Sequence, residues 1–193
     1  MKKKRCAWVK EGDALYERYH DTQWGVPVYD DKTIFEFLVL ESAQAGLSWL
    51  TVLRKRENYR KAFLGFDPKK VARFTKRDVA RLLKNEGIIR NRAKIEAAIN
   101  NARRFLKVQK EFGTFSKYIW SFVDGKPIIH YIKTSGDYKN SIKESVKLAK
   151  DLKNRGFKFI GPIIIYSLMQ AIGMVNDHEE MCFRKKILAR FGR

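Results

Sequence analysis

Glu41 stands where its helix should be apolar. In "DKTIFEFLVLESAQAG" the residues Ile34, Leu38, Glu41 and Ala45 follow one another at three- and four-residue spacing, so a helix sets the carboxylate on the same stripe as its apolar neighbours. Burial raises a carboxyl pKa and makes its charge costly unless paired. Two readings follow: an internal salt bridge to one of the many arginines, or a functional group. The company of Glu41 favours the second. Trp8, Tyr16, Tyr19, Trp24 and Trp49 all fall in the first fifty residues, and they include three of the four tryptophans. Aromatics at that density are more often core, but around a buried carboxylate they make a pocket for a flat, cationic or hydrogen-bond-donating ring.

A second constellation sits at the two ends of the chain. There are three histidines and two cysteines in 193 residues, and four of these five stand as Cys6 with His20 and His178 with Cys182. The last pair is four residues apart, which puts both on one side of a helical turn. A Cys2His2 set suits a tetrahedral structural zinc, held by thiolates and neutral imidazoles; with every position filled by protein it would be a clasp rather than a catalytic centre. Separate thiols, or a disulfide between Cys6 and Cys182, are the alternatives that spacing leaves open, the disulfide being disfavoured in a cytoplasmic protein.

The third candidate is a turn. "LLKNEGIIRNRAKIEAAINNAR" reads as helix, short turn, helix, with Gly87 supplying backbone freedom and the second helix starting near Asn91. The free N–H groups of that helix start, with Arg90, Arg92 and Lys94 around them, would grip a phosphate without reading sequence.

These residues need a frame of helices. "DKTIFEFLVLESAQAG" ends at Gly46, Ser48 caps "WLTVLRKRENYRKAFLGF", Asp67 caps a helix with Pro68 at its first position, and Thr75 and Asp78 stand at capping-box spacing. Further helices are expected at 91–111, 114–123 and 140–155, and an apolar one from Gly161–Pro162 to about Val175, interrupted by Ser167 and Gln170. Strand character is confined to "KPIIHYI" at 126–132, too little for a sheet. The expected fold class is all-α, as one compact unit or two tightly packed helical lobes with the termini brought together.

Charge is the strongest bulk signal. There are 41 Lys and Arg against 21 Asp and Glu, a formal net charge of +20. The excess gathers in "MKKKR", "RKRENYRK" and "RKKILARFGR", which favours nucleic acid as partner ahead of an anionic membrane surface. No apolar run reaches spanning length and "MKKKRC" is followed by no apolar stretch, so neither a membrane span nor a secretory signal is expected, and a cytoplasmic location is.

"YHDTQWGVPVYDD", "LESAQAGLSWLTVLRKRENYRKAF", "GIIRNRAKI", "RGFKFIGP" and "MQAIGMVNDH" followed by Cys182 resemble the type I 3-methyladenine DNA glycosylases, in order and with similar spacing, over roughly residues 5–183. The resemblance implies a helix-hairpin-helix glycosylase fold, with the hairpin at about 78–105 in a single unit of residues 1–193. It also implies hydrolytic excision of 3-methyladenine from alkylated double-stranded DNA by a monofunctional enzyme, leaving an abasic site. It places Cys6, His20, His178 and Cys182 on the family's zinc ligands, one structural Zn2+ per chain, with no cofactor for the chemistry. Trp8, Tyr19, Trp24, Glu41 and Trp49 fall at its base pocket, Glu41 being the catalytic candidate.

Many helix-hairpin-helix glycosylases carry an Asp after the hairpin; here there is none between Asp78 and Asp124, as in the type I family. Two positions depart from the pattern. Gln23 stands where an acid is usual, which would alter a surface contact near the zinc end, and Ile163 stands where Thr is common, which removes a hydroxyl near the DNA or the site. A zinc-clasped DNA-binding module without catalysis is the competing reading, but it has no need of a carboxylate among aromatics. A monomer is expected, since it suits an enzyme that scans DNA.

Overall fold

A computed structural model describes residues 3–192, so Lys2 and Arg193 of the terminal basic clusters lie outside the described residues. The helices are α1 (Ala14–Thr22), α2 (Asp31–Gln44), α3 (Trp49–Ala62), α4 (Pro68–Val71), α5 (Lys76–Leu83), α6 (Arg92–Phe112), α7 (Phe115–Trp120), α8 (Lys143–Asn154), α9 (Pro162–Ala171) and α10 (Phe183–Leu188). None is long and apolar enough to cross a membrane.

Local chemistry sets the helix starts. Asp30 accepts from Thr33 N at 2.8 Å, Ser48 from Thr51 N at 3.2 Å and Asp67 from Lys69 N at 2.9 Å. The Thr75–Asp78 capping box forms, with Thr75 N donating to Asp78 at 2.9 Å. Asn91 accepts from Lys94 N at 3.1 Å and starts α6.

The core is built around α2, in which every residue from 34 to 43 is buried, Glu36, Glu41 and Ser42 among them. An amphipathic stripe is what the spacing predicts; the helix is instead covered on all sides, because α3, α6, α7 and α9 all pack on it. Stacked rings fill the space on the α6–α7 side, with Phe105 and Phe115 at 4.0 Å between centroids.

The absence of a sheet is corrected. Ile128–Ile129 (β1) pairs in parallel with Val175–Asn176 (β2), and an isolated bridge joins Ile132 to Glu179. Two-residue strands so far apart in sequence carry no local signal, since each is satisfied only by the other. The ladder leads directly into His178. The termini do meet: Phe183 N donates to the Lys4 carbonyl at 2.9 Å, and Ala7 N donates to Glu179 Oε1 at 2.9 Å.

Candidate active site

Every aromatic that neighbours Glu41 in the first fifty residues and was singled out above reaches one cavity. Trp8, Tyr16, Tyr19, Trp24, Glu41, Gln44, Trp49, Tyr138, Ser167 and Gln170 line a space of about 190 Å³. The aromatics brace one another: Trp8 lies 5.1 Å from Tyr16 and 4.9 Å from Trp24, and Tyr19 lies 5.3 Å from Trp49, between ring centroids. The indole N–H of Trp49 is buried with no acceptor among the described residues. It is a donor that a ligand would satisfy.

Glu41 is 4 % exposed, and burial alone pushes its carboxyl up to about 8. Burial first, and then the nearby Glu41 carboxyl, raise the Tyr19 phenol well above its ordinary value. The salt-bridge reading belongs to a different residue. Glu36, also on α2, accepts from Arg56 Nε at 2.6 Å and Arg60 Nη2 at 2.8 Å. Gln23 joins that network by accepting from Arg56 Nη1 at 2.5 Å, so its contact is with α3 and not with the cysteine–histidine cluster.

Gln44, Tyr138, Ser167 and Gln170 are cavity residues that reading the sequence did not select. A signal existed for three of them. Ser167 and Gln170 are polar residues three apart on an otherwise apolar helix, and Gln44 lies one turn after Glu41 on the same face. Tyr138 comes from an irregular segment with no period to read.

A second space of about 170 Å³ shares Glu41, Gln44 and Ser167 with the first and is completed by Ala45, Gly46, Leu47, Ile163 and Ile164. Leu47 and Ile163 are 40 % and 61 % exposed, so both stand at the open side of this second space, its mouth.

The α5–α6 hairpin is tied to that mouth. Lys94 Nζ donates to the carbonyls of Ala43 and Ala45, at 2.8 and 2.6 Å, and desolvation holds its pKa below the ordinary value. Its ammonium therefore clamps the C-terminal carbonyls of α2. Arg90 and Arg92 remain half to two-thirds exposed, paired with Glu86 at 3.3 Å and Glu96 at 3.4 Å. Gly87 is required for a reason other than the turn freedom expected of it. Its φ is not positive, and a Cβ there would lie 2.9 Å from the Asn58 Cβ on α3. Close approach, reinforced by Lys55 Nζ donating to the Glu86 carbonyl at 2.8 Å, fixes the hairpin to α3.

Next to the cavity, across Trp24, the cysteines and histidines gather. Donor atoms of Cys6, His20 and Cys182 lie within 4.8 Å of one another, all buried, and both cysteines are free of disulfides. His178 is outside that trio but buried beside it, its ring 5.2 Å from that of His20 and 4.5 Å from Trp24. Each imidazole is held through Nδ1: His20 by Asp21 at 2.9 Å, His178 by Asn176 Oδ1 at 3.0 Å. That leaves both Nε2 atoms turned away from the Nδ1 partners. His20 Nε2 lies 3.4 Å from Cys182 Sγ, and His178 Nε2 is buried with no partner among the described residues.

Of the basic tail, Lys185 is not available to a ligand. It is 5 % exposed, pairs with Glu180 at 3.3 Å and donates to the His130 carbonyl.

A model of the methyladenine glycosylase family matches residues 8–185. The DNA-3-methyladenine glycosylase 1 of Escherichia coli (strain K12) is 51% identical over 178 residues, which is 92% of this chain and 95% of that protein. A crystal structure of 3-methyladenine DNA glycosylase I superposes with a TM-score of 0.90 at 52% identity, covering 93% of this chain and 98% of that one. A variant of 3-methyladenine DNA glycosylase I in complex with 3-methyladenine superposes with a TM-score of 0.90 at 42% identity, covering 94% and 97%.

Proposed function

Since the chain belongs to the methyladenine glycosylase family, we propose that the cavity around Glu41 is where it receives a flipped methylated base. The protein is a monofunctional DNA-3-methyladenine glycosylase that excises 3-methyladenine from alkylated DNA. The observation that carries the site reading is one buried carboxyl with no ionic partner among the described residues, in an aromatic-walled cavity of about 190 Å³.

Methylation at N3 gives the adenine of the nucleotide a positive charge and weakens its bond to deoxyribose. Excision then depends mainly on finding and holding the base. The base stacks against Trp49 and its aromatic neighbours and turns a polar edge to Glu41. An arriving cation favours the ionised carboxyl, so Glu41 gives up its proton when the charged base binds. Water then bonds to C1′ through its oxygen, the C1′–N bond breaks with its electrons passing to the base, and the surplus proton leaves to solvent. No Asp stands between Asp78 and Asp124 to direct that water, and among the described residues Glu41 is the carboxylate that lines the cavity.

The α5–α6 segment acts as the helix-hairpin-helix, with Gly87, Arg90 and Arg92 presenting the turn and the α6 start to a phosphate, and Lys94 holding the turn to the pocket mouth. Cys6, His20, His178 and Cys182 fit a structural Zn2+. Two sulfurs and two imidazoles with oriented Nδ1 atoms are the donor set, and the orphaned Nε2 of His178 is the buried atom such an ion would satisfy. When bound, the ion supplies a cross-link between the chain ends, and base release needs no cofactor. One chain holds every part of the site, so a monomer is the expected working unit.

Chromatography of bases released from N-methylated duplex DNA tests the reading. The native protein should release 3-methyladenine, and Glu41→Gln should release it at least about tenfold more slowly, the effect of losing one charge-assisted contact. Tight DNA binding with no base release by the native protein would instead leave a DNA-binding module.

A further inference from the structure

Gln170 enters the cavity wall from α9, and what lies behind it decides which atom it can offer. Its Nε2 donates to Asp177 Oδ2 at 2.6 Å. The Tyr166 hydroxyl donates to the same oxygen at 2.5 Å, and His130 Nδ1 lies 2.7 Å from Asp177 Oδ1. Asp177 is completely buried. Three donors therefore converge on two carboxylate oxygens that have no exposed surface.

An amide can present either its oxygen or its nitrogen to a cavity, and its hydrogen-bond network decides which. Here it is locked. A carboxylate with its donors in place offers only acceptor positions, and turning the amide over would set Gln170 Oε1 about 2.6 Å from Asp177 Oδ2 with no hydrogen between them. The repulsion between two facing acceptors, together with the loss of a donor to a buried carboxylate, keeps the nitrogen facing Asp177. No described residue donates to Gln170 Oε1, so that carbonyl remains as a fixed acceptor at the wall of the cavity.

We infer that Gln170 is a specificity-determining residue, its carbonyl oxygen accepting from the exocyclic amino group of the bound base, with Asp177 as the positioning residue and His130 and Tyr166 holding Asp177. The assignment rests on the reading of this cavity as the base site. A fixed acceptor favours a purine carrying an amino group at C6 and opposes one carrying an oxygen there, as guanine and hypoxanthine do. Two facing acceptors in a buried site discriminate far more strongly than a missing methyl group does. Glu41 responds to the charge of the base; Gln170 responds to which atom sits at C6.

The experiment is titration of the full-length protein with free 3-methyladenine and free 3-methylhypoxanthine, followed by tryptophan fluorescence. Release of 3-methyladenine from methylated DNA, metal content and thermal midpoint are measured on the same samples. The native protein should bind the 6-amino base at least about tenfold tighter than the 6-oxo base, the effect of one mismatched buried hydrogen bond. Asp177→Asn frees the amide to turn and should shrink that preference to within about threefold. Gln170→Met should do the same while leaving Asp177 with its bonds to His130 and Tyr166, and it decides the matter if Asp177→Asn fails to fold. The double variant Gln170→Glu with Asp177→Asn again places an acceptor in the cavity, now held by the amide introduced in place of the Asp177 carboxylate, and should recover the preference; a purely structural role for the pair predicts no such recovery. A full preference kept in Gln170→Met overturns the assignment. So does native protein that releases 3-methyladenine without any preference between the free bases. Native protein that neither binds nor releases 3-methyladenine would defeat the reading of the cavity itself.

Discussion

Two buried carboxyls on one helix are set to opposite purposes. Glu36 is neutralised by Arg56 and Arg60, whereas Glu41 has only its burial, which pushes it up to about 8 from the ordinary 4.5. A raised folded-state pKa means that the folded protein binds more protons than the unfolded chain between those two values. The corresponding stability is fully present below pH 4.5 and is lost as pH rises toward 8. Glu41→Gln removes that loss, so the thermal midpoint of the variant relative to the native protein should climb steadily from pH 5 to pH 8. A difference that stays flat over this range would mean that Glu41 is ionised and compensated in the empty pocket. Residue type and spacing made Glu41 legible, because a carboxylate on an apolar stripe is a local contradiction. They did not make Glu36 legible as the paired one: its partners lie on α3, and nothing in α2 announces which of its acids faces them.

At the level of the elements, the caps and helix starts were legible because each rests on residues within four positions of one another. Asp67 with Pro68, the Thr75–Asp78 box and Asn91 all form where the sequence puts them. What joins elements was not legible. The clamp of Lys94 on Ala43 and Ala45, the parallel ladder at Ile128–Ile129, and the packing of Gly87 on Asn58 each depend on a partner more than about twenty-five residues away. Gly87 gives the sharpest check. If close approach rather than turn freedom is its purpose, Gly87→Ala should cost about 1–3 kcal/mol in thermal or denaturant unfolding, as overpacking does. DNA affinity should fall with it, since the hairpin would be pushed off α3. An alanine variant with native stability and native DNA affinity would show that the turn yields freely.

For the whole molecule, the ends are the controlling feature. A metal linking Cys6 and Cys182 would close a loop of nearly the entire chain, and by the chain-entropy argument for cross-links a closure of that size is worth about 5 kcal/mol. Cys182→Ser should accordingly lower metal content below one ion per chain, measured by elemental analysis, and lower the thermal midpoint by many degrees. Full metal content in the variant would remove the clasp. The backbone joint between Phe183 N and the Lys4 carbonyl has a further implication. It holds the segment around Lys4 and the segment around Phe183 against each other. Neither segment can peel away alone, for pulling on one pulls on the other through the bonds at Phe183 N and Ala7 N.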